Sequence, residues 1–219
     1  MKKIPDFFRN PRIQLLIQFV VNLAFAIYNG TIAIIIESVW FGALATYYIL
    51  LIILRGGILI YHARRRKAIK NGQTEDVTYL RDTKVYGTCG ILLVLLPIAL
   101  SFAIMQMVRA NDSFVHTGVT IYAYALYAFY KIGMAIYNFV KTRKMHEMTV
   151  RASKNINLAD AMVSILALQT AMFHEFGTGM GDFNIGIMNA ITGAIVCALT
   201  AAIGIFMIVY TTLIIRKCK

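Results

Sequence analysis

The chain has 219 residues, 59% of them hydrophobic and only 15% charged, with a mean hydropathy of +0.67. Soluble domains carry about 25% charged residues, so the composition excludes an ordinary soluble domain and points to an integral membrane protein. The net charge of +12 would suit a nucleic-acid partner in a soluble protein, but no aromatic and basic platform accompanies it, and none is expected here.

Residues 1–11 form a basic arm containing Pro5 and Pro11, with Phe7 and Phe8 resting at the membrane interface. The first apolar segment runs over 12–28, and Asn29-Gly30 is a turn signal. The second, 31–63, is longer than a bilayer core requires and must tilt or protrude. Glu37 and Trp40 lie near its outer end, and Arg64, Arg65, Arg66 and Lys67 close it with a cluster suited to anionic lipid headgroups. The polar stretch 68–84 reads as a connection to segment three, 85–108, where Pro97 predicts a kink. Segment four spans 119–140. Residues 145–154 form a helical lead-in to segment five, 155–173, and segment six spans 185–215.

Nineteen of the 22 Lys and Arg residues fall before segment one, between two and three, between four and five, or at the end. Arg109 alone occupies an alternate connection, while Arg55 and Lys131 lie inside segments. This is the positive-inside pattern and places both termini in the cytoplasm. The expected fold is an all-α integral membrane protein, a six-transmembrane-helix bundle in a single domain over 1–219, residing in the plasma membrane. Lys2 and Lys3 ahead of a run ending Ala24-Phe25-Ala26 resemble a cleaved signal. The mixed leader with Pro5, Asp6 and Pro11, and the hydrophobicity beyond the cut, argue for a retained span. Cys89 and Cys197 sit in apolar segments and Cys218 at the basic end, so no disulfide framework is expected.

A carboxylate near mid-bilayer costs about 2.5–3.5 kcal/mol on insertion scales, so Asp160 in segment five should face a partner, a cavity or an ion. Arg55 lies nine residues before Arg64, Lys131 ten before Lys141, and Asp160 nine after Arg151. At about 1.5 Å rise per residue, all three sit about 13–15 Å in from the basic belts and share one layer. Glu37 lies near the outer interface and cannot pair with Arg55. One functional reading has the three charges lining a polar cavity on a permeation path. The structural alternative pairs Asp160 with Lys131 or Arg55 to orient helices, the spare cation snorkelling along its stem. Asn22, Gln169 and Asn189 read as interhelical hydrogen-bond partners.

An ungapped shift of 76 places Arg55, Gly57, Ile60 and Tyr61 on Lys131, Gly133, Ile136 and Tyr137, an echo compatible with a duplicated hairpin. His146-Glu147 and His174-Glu175 lack the second histidine of a zinc-protease helix. Gly177, Gly179 and Gly181 follow no strand, so they do not form a phosphate loop. Asn111-Asp112-Ser113 has the form of a glycosylation acceptor. No nucleophile stands at helical spacing from a base, so neither an enzyme nor a cofactor is expected.

Three stretches resemble the transmembrane part of the cation diffusion facilitator family of divalent-metal/proton antiporters. NGTIAIIIESVW (29–40) is similar to the start of that family's second helix, RASKNINLADAMVS (151–164) to its fifth, and NAITGAIVCAL (189–199) to its sixth. The resemblance implies six helices, transport and a homodimer. It also implies metal ligands at Trp40, Leu44, Ile156 and Asp160, of which only Asp160 has a metal-binding side chain. One carboxylate cannot supply the three or four ligands zinc takes, so no metal centre is expected. Lys131 or Arg55 would instead set a tethered cation where the metal's charge would lie. The expectation is therefore cation or proton translocation through Asp160, Lys131 and Arg55, or else a non-transporting scaffold that keeps a transporter-like fold.

Overall fold

The computed structural model describes residues 11–70, 75–110, 118–141, 147–176 and 182–217, and folds them into six helices. These are α1 (Pro11–Ile36), α2 (Val39–Lys70), α3 (Glu75–Ala110), α4 (Gly118–Lys141), α5 (Met148–Phe176) and α6 (Asp182–Lys217). Among the described residues, five stretches are long and apolar enough to cross a membrane: Ile13–Ile36, Phe41–Lys67, Thr78–Phe102, Met148–Phe173 and Gly186–Lys217. The chain is a multi-pass helical membrane protein. Helix α4 packs along α5, and α1 along α2, while α3 and α6 share the most extensive helix contact.

Two boundaries differ from the sequence reading. Asn29-Gly30 is not a turn. Helix α1 continues through it, with Asn29 Nδ2 donating to the Phe25 carbonyl at 2.7 Å and Thr31 Oγ1 to the Ile27 carbonyl at 2.8 Å. Once a helix is nucleated in an apolar run, extending it costs less than opening backbone groups to lipid. The reversal comes at Glu37, whose φ of 53° is left-handed, and at Ser38. There the Ser38 amide reaches back to the Ala33 carbonyl and the Gly42 amide to the Ser38 carbonyl, each at 3.2 Å. Residues 29–40 therefore close α1 and open α2, so segments one and two divide at 37–38 rather than at 29–30. An exposed glutamate in left-handed backbone is strained. Glu37→Gly is expected to stabilise the fold by about 0.5–1 kcal/mol and Glu37→Ile to destabilise it, both read as shifts in the thermal unfolding midpoint.

The second difference is the polar stretch 68–84. Its described residues are helical: α2 reaches Lys70 and α3 begins at Glu75. Hydropathy falls at the first charges, but helix propagation does not need apolar side chains. Residues 148–154 do belong to α5, as one continuous helix. Helix α3 runs through Pro97 without interruption.

Each helix buries one stripe at alternating three- and four-residue steps. On α2 it is Leu44, Tyr47, Leu51, Leu54 and Ile58, and on α5 Ala152, Ile156, Ala159, Val163 and Leu166. The opposite faces expose residues such as Ile34, Ile53, Leu126 and Phe206, an apolar surface a lipid solvent requires. Where α3 meets α6 the stripe is made of small residues. Gly90 and Gly204 bring the two backbones together, and Gly87 faces Thr211. Thr211 Oγ1 donates to the Thr83 carbonyl at 3.4 Å, and Cys197 Sγ lies 3.7 Å from the Pro97 carbonyl. Close backbone approach over small residues is how helices associate where apolar burial gives no drive.

Candidate functional site

The stripe of α1 carries Gln18 and Asn22 four residues apart, α2 presents Arg55, α4 presents Tyr127 and Lys131, and α5 presents Asn157 and Asp160. Helical spacing of three or four residues puts each pair on one face. All these side chains are buried, with Asp160 at 0%, Arg55 at 1% and Lys131 at 2% exposure.

The carboxylate is the hub. Arg55 Nη2 donates to Asp160 Oδ2 at 2.5 Å and to Asn157 Oδ1 at 3.2 Å. Lys131 Nζ donates to the same Asp160 Oδ2. The ammonium also donates to Asn22 Oδ1 at 2.5 Å, and that oxygen accepts the Tyr127 hydroxyl at 3.2 Å. Lys131 Nζ lies 4.9 Å from the centre of the Tyr127 ring, within cation–π range, and Phe25 stacks on that ring at 3.7 Å. Ser164 Oγ donates to the Asp160 carbonyl at 2.7 Å, tying down the turn that follows. One oxygen atom thus serves two cations drawn from two other helices. With Lys131 protonated the charges do not balance: two positive, one negative.

Hydrogen bonding is also incomplete. Arg55 Nε and Nη1, Asn22 Nδ2 and the Tyr47 hydroxyl are buried donors with no partner among the described residues. Asp160 Oδ1 and Gln18 Oε1 are buried acceptors in the same position. Buried polar groups normally find a partner, so a cluster of exceptions requires an explanation.

Depth counting along the sequence puts Arg55, Lys131 and Asp160 in one layer, and the structure brings both cations to the one carboxylate. Asn22 lies inside the cluster as a direct partner of Lys131. Gln169 and Asn189 lie elsewhere, linking α5 to α6: Gln169 Nε2 donates to Thr192 Oγ1 at 2.9 Å, and Thr170 Oγ1 to Asn189 Oδ1 at 3.4 Å. Glu37 sits exposed at the α1–α2 reversal, apart from the cluster. Asn157, Tyr127, Gln18 and Tyr47 were not singled out from sequence. The signal was available for three of them, since Asn157, Tyr127 and Gln18 stand three or four residues from Asp160, Lys131 and Asn22.

Of the basic cluster, Arg64, Arg66 and Lys67 are exposed, but Arg65 turns inward. Its guanidinium bonds Asp82 at 3.2 Å and Glu147 at 3.5 Å, while the Tyr61 hydroxyl donates to Asp82 at 2.6 Å. This clamp joins α2, α3 and the start of α5, so Arg65 is not free for a headgroup. A cavity of about 270 Å³ between α2 and α3 is lined by Ile53, Gly57, Tyr61, Arg64, Thr88 and Cys89 among others, and lies apart from the charged cluster.

The sequence echo falls on matching environments. Gly57 and Gly133 both face open space, Ile60 and Ile136 are both exposed, and Arg55 and Lys131 both reach Asp160. His146, Gly177, Gly179, Gly181, Asn111, Cys218, Phe7 and Phe8 lie outside the described residues. Among the described residues, no group of three or more His, Cys, Asp and Glu side chains could hold a metal ion. The chain matches no protein-family model, no curated protein and no solved structure.

Proposed function

We propose that the protein is a transport-related membrane protein of six spans, with both ends cytoplasmic, and that the Arg55–Asp160–Lys131 cluster holds and releases a proton during translocation. The supporting observation is the shared carboxylate oxygen in a site closed to solvent. Arg55 pairs with Asp160 through Nη2. Neutralising Asp160 would leave two cations facing each other, whereas removing the proton of Lys131 leaves the neutral Arg55–Asp160 pair. Charge balance therefore assigns the mobile proton to Lys131, with Asp160 as its fixed counter-charge.

A divalent metal fits the cluster less well. It would have to displace both cations from Asp160, and that carboxylate alone cannot supply the ligands zinc takes. The resemblance to cation diffusion facilitators thus bears on helix number and on a homodimer more than on cargo, and it is an analogy of fold. Exposed Arg64, Arg66 and Lys67 suit the anionic headgroups of a cell membrane's cytoplasmic face, at about 1 kcal/mol each.

Proteoliposomes enclosing a pH-sensitive dye, with chloride on both sides, test this reading. Wild-type protein is expected to carry protons down an imposed gradient, and Lys131→Gln to lower that flux at least tenfold. Undiminished flux in Lys131→Gln removes the proton from Lys131. A second reading, a non-transporting scaffold, draws on the way Asn22, Arg55, Lys131 and Asp160 tie α1, α2, α4 and α5 together. It is favoured if the wild type carries nothing while substitutions in the cluster only unfold it.

A further inference from the structure

Protonated Lys131 leaves the cluster with a surplus of one positive charge in a buried site. Isolated charges in a low-dielectric interior are costly unless paired. The surplus is accompanied by unused donors, which outnumber the unused acceptors Asp160 Oδ1 and Gln18 Oε1. Arg55 spends Nη2 on Asp160 and Asn157 but leaves Nε and Nη1 unused, and Asn22 engages its carbonyl oxygen but not Nδ2. Both side chains are already bonded to the cluster, one through Asp160 and the other through Lys131. The Tyr47 hydroxyl, one α-helical double turn before Arg55 on α2, is a further buried donor without a partner.

Surplus positive charge together with unused N–H and O–H donors is the chemistry of an anion site. We propose that the cluster binds one small monovalent anion, of the size of chloride or formate, together with the proton on Lys131. Charge sets the class: one monovalent anion balances the single surplus charge, whereas a multivalent anion would overbalance it. This rests on the transport reading above and names its substrate class, a proton and an anion crossing together as a neutral load.

The two ligands must then help each other. A proton on Lys131 creates the charge the anion neutralises, and the anion stabilises the protonated ammonium. Linkage makes the effect reciprocal. The charged and titratable groups facing the cluster are Arg55, Tyr47 and Tyr48 on α2, Asp160 on α5, and Lys131, Tyr127 and Tyr130 on α4. From α1 comes the neutral Asn22. Charge balance leaves Lys131 as the group that gains or loses the proton, since a proton on Asp160 would only add to the surplus. The pH dependence of anion binding therefore reports Lys131.

The test uses the purified full-length protein in lipid nanodiscs. Thermal unfolding and equilibrium binding of radiolabelled chloride are followed at constant ionic strength from pH 5 to 9, with formate and bromide compared against sulfate and gluconate. Chloride, formate and bromide are expected to bind saturably and raise the unfolding temperature, while sulfate and gluconate do neither. Affinity should fall about tenfold per pH unit once Lys131 loses its proton, and in Lys131→Gln both the binding and its pH dependence should disappear. Folding of Lys131→Gln is checked by its own unfolding transition, and the wild-type anion series decides the matter without it. Absence of saturable binding to the folded wild type, or binding with no pH dependence, overturns the proposal. Proton flux without anion binding overturns it while leaving the transport reading intact. Anion binding without any flux keeps the site and removes the transport reading.

Discussion

Asp160→Asn is expected to cost about 3–5 kcal/mol of folding stability, the largest single-residue effect in the protein. The wild-type carboxylate answers two buried cations through one oxygen. An asparagine keeps the volume and a carbonyl acceptor but removes the charge, leaving Arg55 and Lys131 within reach of each other and sealed from solvent. Neither can retreat. Arg55 lies a full turn and more below Arg64, where snorkelling would first meet the interface, and Lys131 is held by Asn22 and the Tyr127 ring. The loss should appear as a lowered unfolding temperature in detergent and as reduced membrane yield. Asp160→Glu keeps the charge but displaces the carboxylate by a methylene among buried partners, so its loss should be about 1–3 kcal/mol.

The second large effect belongs to the α3–α6 crossing. A Cβ on Gly204 would stand 2.7 Å from Val94 Cγ2, 2.9 Å from the Gly90 carbonyl oxygen and 3.1 Å from the Val94 amide nitrogen. A Cβ on Gly90 would meet Met207 Cβ at 2.8 Å and the Gly204 carbonyl oxygen at 2.9 Å. Side-chain tips can move aside, but these are largely backbone atoms of the facing helix, so the helices themselves must part. Gly204→Ala and Gly90→Ala should each cost about 1–3 kcal/mol, and Gly204→Val more. Gly193→Ala should cost less, since only the flexible Ile104 side chain opposes it. Gly57→Ala and Gly133→Ala, with nothing within 4 Å, should gain up to about 1 kcal/mol from helix propensity. Unfolding midpoints of this glycine series separate close helix approach from a general intolerance of substitution.

Much of this was legible in the sequence because a membrane simplifies the physics. Basic belts mark the helix ends, helical rise converts residue counts into depth, and charges at equal depth have few other places to go. That reasoning joined Arg55, Lys131 and Asp160. It failed where depth was not the question. The partner carbonyl of Asn22 and the neighbouring Asn157 depend on helix rotation, which a nearly uniform apolar surface does not encode. The misplaced turn at Asn29-Gly30 has the same root: a local signal was trusted inside a run where lipid penalises every open backbone group. The true reversal at Glu37 and Ser38 has no local signature, since glutamate is a poor choice for a left-handed residue. The helical character of 75–84 was missed because hydropathy marks the membrane boundary and not the end of a helix.

What everything else rests on is that Asp160 is the shared counter-charge of Lys131 and Arg55. It is tested most directly by adding Lys131→Gln to wild type and to Asp160→Asn and comparing unfolding free energies. On the wild-type background Lys131→Gln leaves a neutral Arg55–Asp160 pair, and the cost should be about 1 kcal/mol. On the Asp160→Asn background it removes one of two unanswered cations, and stability should rise. A double variant less stable than Asp160→Asn alone, by the same amount Lys131→Gln costs the wild type, would show that the two side chains do not share a charge balance.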